Sequence, residues 1–264
     1  GTTVTISGSG FNSMPSNNVV FFGATSATVQ IGSTSSSLIV KVPYGANYQY
    51  ISVTNLSSGQ TAYSALPFVV TYPTAVGVFN QFAPATSITV TGVGAPNQSL
   101  VKDLNGDGKP DIVVGAATGF YILTNVTQSL STSITFTIQF VSITNTIRSL
   151  AADDLDGDGK PDLVVCSTTA ASTYVYKNIS IGGSISFSAS VPLGVANYYS
   201  VVISDIDGDG RPDIVMGGDG GSTVSLFRNS SVNGLLSFNS AMSVAASLAS
   251  GIYSLVIGDR KSVV

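Results

Sequence analysis

Short runs of alternating apolar and polar residues, separated by Gly, Ser, Asn and Pro, fill this chain from end to end. In the first 73 residues they fall at 3–7, 19–22, 27–31, 38–42, 51–54, 61–63 and 68–71. Alternation of period two puts successive side chains on opposite sheet faces, so each run reads as a strand with one face buried. Seven short strands with turn signals every eight to twelve residues predict a small Ig-like β-sandwich. Further along, 149–152, 162–167, 173–177 and 184–188 read as a set of four strands. The set recurs before it at 112–115, 120–123 and 134–141, and after it at 214–216, 224–227 and 236–238. No segment keeps a helical period over ten residues, so the expected fold class is all-β.

A second periodicity lies on top of the first. The residues from Asp103 to Val114, DLNGDGKPDIVV, return as DLDGDGKPDLVV from Asp154 and as DIDGDGRPDIVM from Asp205, 51 residues apart in both steps. A fixed period of this size marks stacked or radially arranged units. Four short strands in about 50 residues match a propeller blade or a β-solenoid rung.

The repeated loop carries the chemistry. Oxygen ligands at positions 1, 3, 5 and 9, with a backbone carbonyl at 7, suit a hard cation of calcium size. They are Asp103, Asn105, Asp107, the Lys109 carbonyl and Asp111 in the first loop. The second offers Asp154, Asp156, Asp158, the Lys160 carbonyl and Asp162, and the third Asp205, Asp207, Asp209, the Arg211 carbonyl and Asp213. Glycines at positions 4 and 6 permit the backbone turns that aim these groups at one point. Magnesium demands stricter octahedral geometry. Zinc prefers His and Cys, and the chain has no His and a single Cys. An EF-hand closes on Glu at position 12 and leads into a helix. Here Asp closes the loop at position 9, and Pro followed by a β-branched run leads into a strand.

Composition sharpens the picture. All 14 acidic residues are Asp, and 11 of them occupy the proposed ligand positions. Such carboxylates repel one another unless a cation joins them. The first 73 residues hold one charged side chain, Lys41. With 9% charged residues and a net charge of −4 there is no basic patch for nucleic acid. No apolar run approaches the roughly 20 residues of a membrane-spanning helix. A chain rich in Ser, Thr, Gly and Asn suits a secreted or cell-surface protein, where weak calcium loops fill at about 10⁻⁴–10⁻³ M. Cys166, inside a strand, reads as a small core residue. The Asn-x-Ser/Thr matches at Asn55, Asn97, Asn125, Asn178 and Asn229 are expected by chance in so hydroxyl-rich a sequence. General acid–base work would fall to Asp153, Asp219 or Asp259, none with a visible partner, so no catalytic residue is expected here.

The loops, the Asn-ended strands (Leu123-Thr-Asn125, Tyr176-Lys-Asn178, Phe227-Arg-Asn229) and the later Phe136, Phe187 and Phe238 resemble FG-GAP/VCBS repeats. That resemblance covers 79–264 and implies a calcium-bearing β-propeller like those of integrin α-subunits and many secreted bacterial proteins. Three to four blades fit in this length, an incomplete propeller. From Tyr253 to Asp259 the approach to a fourth loop recurs, but Arg260 and Lys261 replace its acidic run. With no initiator Met and no signal peptide, the chain is expected to be an excerpt of a longer protein.

Residues 1–73, through GTTVTISGSGF, VFFG, VKVP and FVV, resemble an IPT/TIG domain, with 72–80 as linker. The two resemblances imply a segment of an extracellular adhesion or recognition protein that is not itself catalytic. The alternative is an accessory region of an extracellular carbohydrate-active enzyme. The residue before each inner-strand Ser varies: Gln98, Arg148, Tyr199 and Tyr253. These are the expected contact points for a protein or glycan partner, at the end of the units away from the calcium loops.

Overall fold

A computed structural model of the 264-residue chain describes residues 1–70, 87–90, 96–128, 131, 133–143, 146–167, 173–194, 198–218, 223–245 and 251–257. The expected linker at 72–80 lies outside them, as do Asp219 and Asp259. The fold is all-β. Its one helical element among the described residues is a 3₁₀ turn at Pro15–Asn17.

The N-terminal unit contains β1 (Thr3–Ser7), β2 (Asn18–Phe22), β3 (Thr25–Ala27), β4 (Ser37–Lys41), β5 (Ile51–Asn55) and β6 (Gln60–Tyr63). β1 pairs with β4, and the others form a sheet in the order β3-β2-β5-β6. Val20, Phe22, Leu38, Val40 and Val53 make the core between the two sheets. Two expected strands come out differently. The run at 27–31 stops at Ala27, and Val29 bridges β4 at Val40 instead of continuing β3. The run at 68–71 is no strand where it is described. Phe68 makes one bridge to Gln49 and packs its ring edge-on to Phe22 at 4.8 Å, closing the core as a plug.

Three four-stranded antiparallel meanders follow. The first is β7 (Gln98–Lys102), β8 (Asp111–Ala116), β9 (Gly119–Asn125) and β10 (Phe136–Ser142). The second is β11 (Ile147–Asp153), β12 (Asp162–Ser167), β13 (Thr173–Tyr176) and β14 (Val191–Pro192). The third is β15 (Tyr198–Ser204), β16 (Asp213–Gly218), β17 (Thr223–Phe227) and β18 (Met242–Ala245). Each acidic loop is the hairpin from first to second strand, as its Pro-Asp-β-branched exit requires.

First strands meet at the junctions between sheets, with β11 lying between β7 and β15. Val201 N donates to Ser149 Oγ at 3.1 Å, and Leu255 N repeats the bond to Ser200 Oγ at 2.9 Å, so residues 251–257 continue the pattern. All six residues of β12 are buried. Leu163 and Val165 pack toward the first sheet with Phe120 and Ile147, whereas Val164 and Cys166 pack toward the third with Ile214 and Met216. Cys166 is fully buried, 3.5 Å from Met216 Sδ, and burial pushes its thiol up to about 12. It is a core residue.

Residues 184–188 and 236–238 are not the outer strands that their alternation predicts. They fold back as compact turns bridged at Asn178–Phe187 and Asn229–Phe238, and β14 and β18 take the outer position further on. Asn178 Oδ1 and Asn229 Oδ1 accept the amides of Ser180 and Ser231, whose hydroxyl oxygens in turn accept Ser186 N at 3.1 Å and Ser237 N at 2.9 Å and close these turns.

Candidate metal centres

Each loop is wound around the carboxylate at position 1. Asp103 accepts Gly106 N and Gly108 N, both at 2.8 Å. Asp154 accepts Gly157 N and Gly159 N at 2.9 Å, and Asp205 accepts Gly208 N and Gly210 N at 2.8 and 2.9 Å. These glycines have φ between 74° and 83°, the left-handed region that a side chain resists. Position 3 (Asn105, Asp156, Asp207) accepts the amide of position 5, and position 5 (Asp107, Asp158, Asp209) accepts the amides of Lys109, Lys160 and Arg211.

Position 9 closes the ring. Asp111, Asp162 and Asp213 accept the amide of position 2 on one oxygen and the amide of Asn125, Asn178 or Asn229 on the other, all within 2.8–3.0 Å. The asparagine landmark has a job that its recurrence alone does not reveal. Asn178 is fully buried, and its amide donates to Pro161 O in its own loop and to Leu104 O in the preceding one. Asn229 does the same for Pro212 O and Leu155 O. As these two amides are buried and doubly bonded, the sequence matches there are no acceptors for glycosylation in the folded chain.

Two groups of three carboxylates gather among the described residues: Asp154, Asp156 and Asp162, all buried, and Asp205, Asp207 and Asp209. Within each group the oxygens lie within 4.8 Å of one another. Asp158 and Asp213 stand outside these trios. In the first loop Asn105 replaces a carboxylate and turns its amide to Gly183 O, 2.8 Å away. The donor set is hard oxygen throughout, which fits a metal of the calcium type.

Electrostatics show the cost of crowding. Burial pushes the Asp111 carboxyl up to about 6. Burial first and the Asp158 charge second push Asp154 to about 7, and burial with the Asp156 charge takes Asp162 to about 9. Lys109 and Arg211 pair with Asp107 and Asp209 within their own loops at 3.3 and 3.4 Å, and two cations just after the third strands answer the crowding as well. Lys177 Nζ bonds Asp156 and lies 3.2 Å from Asp158, while Arg228 bonds Asp207 and reaches Asp209 at 2.9 Å. Both precede a landmark asparagine. The first repeat has Thr124 in that place.

Asp153 stays outside the acidic loop, though its Oδ1 accepts the amide of Asp154 at 3.1 Å. Its Oδ2 accepts Tyr63 Oη at 2.7 Å, and Lys102 stands 3.6 Å away.

The variable residues sit at the other end of the same strands. Arg148 and Tyr199 each fall where the ladder slips by one residue, a β-bulge in β11 and another in β15. Bulges re-aim a side chain, and no pattern in the sequence announces them. Arg148 lies over the Tyr199 ring, 5.7 Å from its centroid, and Tyr199 meets Tyr253 edge-on at 5.2 Å. Three of the four expected contact points are thus joined in one stack. Gln98 opens β7, opposite Gly115, in an unbulged ladder.

No curated protein sequence matches the chain. Family comparison places an IPT/TIG domain at residues 1–70 and FG-GAP-like repeats at 103–165 and 154–216. The loops, the asparagine bridges and the sandwich core therefore belong to a chain that joins an IPT/TIG domain to FG-GAP-like repeats.

Proposed function

We propose that this chain is a calcium-stabilised recognition segment of an extracellular adhesion protein. The observation that carries the reading is the burial of Asp154, Asp156 and Asp162 around one point, where three like charges persist only with a cation. Calcium fills three loops, and the Asn105 loop is the least acidic. The meanders are propeller blades, as the side-by-side packing of β7, β11 and β15 supports. No helix among the described residues is long and apolar enough to cross a membrane. The chain binds rather than catalyses: every described carboxylate side chain but Asp153 lies in an acidic loop, and the opposite rim offers the Arg148–Tyr199–Tyr253 stack for a protein or glycan. Thermal unfolding with excess calcium and then with chelator tests this, together with bound-metal analysis. Calcium should raise the midpoint by simple linkage. An unchanged midpoint with no bound calcium would sink the reading.

A further inference from the structure

Both edges of the IPT/TIG four-stranded sheet end on a metal loop. At the β3 edge Ala24 O accepts Asp103 N at 2.7 Å, and Ser26 N and Oγ donate to Asp103 Oδ2 at 3.3 and 2.9 Å. At the β6 edge Thr61 N donates to Gly210 O at 2.7 Å, and Gln60 Nε2 donates to Asp209 O at 3.1 Å. Exposed strand edges must be covered, and here the first and third loops cover them.

The second loop lies under the middle of the sheet. A Cβ on Gly157 would stand 2.6 Å from Gly59 Cα, and one on Gly159 would stand 2.5 Å from Val19 Cγ2. Those two glycines therefore serve close approach as well as loop winding. Phe21 is 7% exposed although the core faces the other side of β2, and Lys102 stands 5.0 Å from its ring.

The atoms that meet the sheet are the atoms that the loop carboxylates organise. Asp103 Oδ2 accepts Gly108 N from within the loop and Ser26 from outside it. Asp205 Oδ2 holds Gly210 N, while the Gly210 carbonyl takes Thr61 N. We propose that the IPT/TIG domain is a clamp seated across the three loops, and that its docking and the filling of the loops by calcium strengthen each other. This rests on the calcium reading above. Coupling of this kind is reciprocal: whatever calcium adds to docking, docking adds to calcium affinity.

The test uses the whole chain, with calcium titration by calorimetry and hydrogen exchange at the Ser26 and Thr61 amides. In the wild type, chelator should speed exchange at both amides about 10-fold more than at the core amide of Val53, a typical size for coupled sites. Val19→Asp, which places a charge against Gly159, should give the fast exchange even in calcium and weaken calcium binding several-fold. Should that variant fail to fold, Tyr63→Phe removes only the bond to Asp153 and should shift both readouts the same way by less. If the wild type binds calcium but either response is missing, the clamp is overturned. If the wild type binds no calcium, the calcium reading itself fails and the coupling with it.

Discussion

The side-chain amide of Asn178 donates to the Leu104 carbonyl, 2.7 Å away and one repeat back. Asn229 reaches Leu155 O in the same way at 2.8 Å, so the first and second loops are each pinned by the repeat that follows. The following repeat also lays a glycine turn over the loop: Gly183 O accepts from Asn105, and Gly234 O accepts from Lys177 at 2.6 Å beside Asp156. The first two loops are each built by two repeats together.

Removing the pin should therefore cost more than one ordinary hydrogen bond. Asn178→Ala leaves the Leu104 and Pro161 carbonyls without their donor in a buried setting, at about 1–3 kcal/mol for each unsatisfied group. Asn125→Ala should cost less, because its amide reaches Pro110 O alone at 3.1 Å, and that site is only part-buried. Urea midpoints of the two variants decide it. Equal losses would mean that the bond between repeats contributes nothing.

Lys177 acts as a tethered counter-ion in the second loop. Burial works against its ammonium, but the hydrogen bonds to Asp156 and Asp158 outweigh that and hold its pKa up. Lys177→Met should destabilise the chelated protein, since Asp156 and Asp158 lose the charge that offsets their repulsion. It should also raise the calcium affinity of this loop several-fold, because the competing cation is gone. Calorimetric titration and melting in chelator read the two effects separately. A fall in calcium affinity would show that Lys177 supports the loaded loop instead.

Stability of the metal-free protein should fall as pH rises. Folded-state pKa values of about 6 for Asp111, 7 for Asp154 and 9 for Asp162 lie above the ordinary value of 3.8. A carboxyl whose folded pKa is raised contributes stability that is complete below its unfolded pKa and is lost as pH climbs through the folded one. In chelator the midpoint should therefore decline from pH 4 to 9. With calcium the trend should reverse over the lower part of that range, because the metal takes the ionised carboxylates and releases their protons. Melting curves at pH 5 and 8, with and without calcium, measure both slopes. A chelated midpoint that is flat or rises with pH contradicts the burial of these groups.

How much of this lay open in the sequence follows physical lines. Hairpin loops were legible because their ligand spacing and Pro exit are local properties of nine residues. Second strands were legible too, since β8, β12 and β16 follow directly from the loops. The outer strand was legible in the first repeat, where the run at 134–141 is β10, but not in the second: residues 184–188 alternate like a strand, yet Asn178 and Ser180 draw that segment into a turn, with Ser180 Oγ accepting Ser186 N at 3.1 Å. Residues 19–22 read as an alternating strand with one buried face. In the fold Val20 and Phe22 enter the core while Phe21 is buried on the opposite side, against the repeats. Contacts between residues 77 or more apart, such as Ser26 with Asp103, leave no local trace.

The clamp and the rim divide the molecule by end. The IPT/TIG sheet covers the loop face, and at the opposite ends of the units lie the starts of β11 and β15 with the Arg148 and Tyr199 bulges. Arg and Tyr are the side chains most enriched in binding hot spots, and stacking holds these two in place before any partner arrives. Arg148→Ala and Tyr199→Ala should each weaken a glycan or protein ligand, found by array screening, by about 10-fold or more. Calcium content should stay as in the wild type, since Arg148 and Tyr199 lie at the starts of β11 and β15 and the carboxylates of the second and third loops follow the other ends of those strands. Binding that survives both changes, in variants that still fold and hold calcium, would place the recognition surface elsewhere than on this rim.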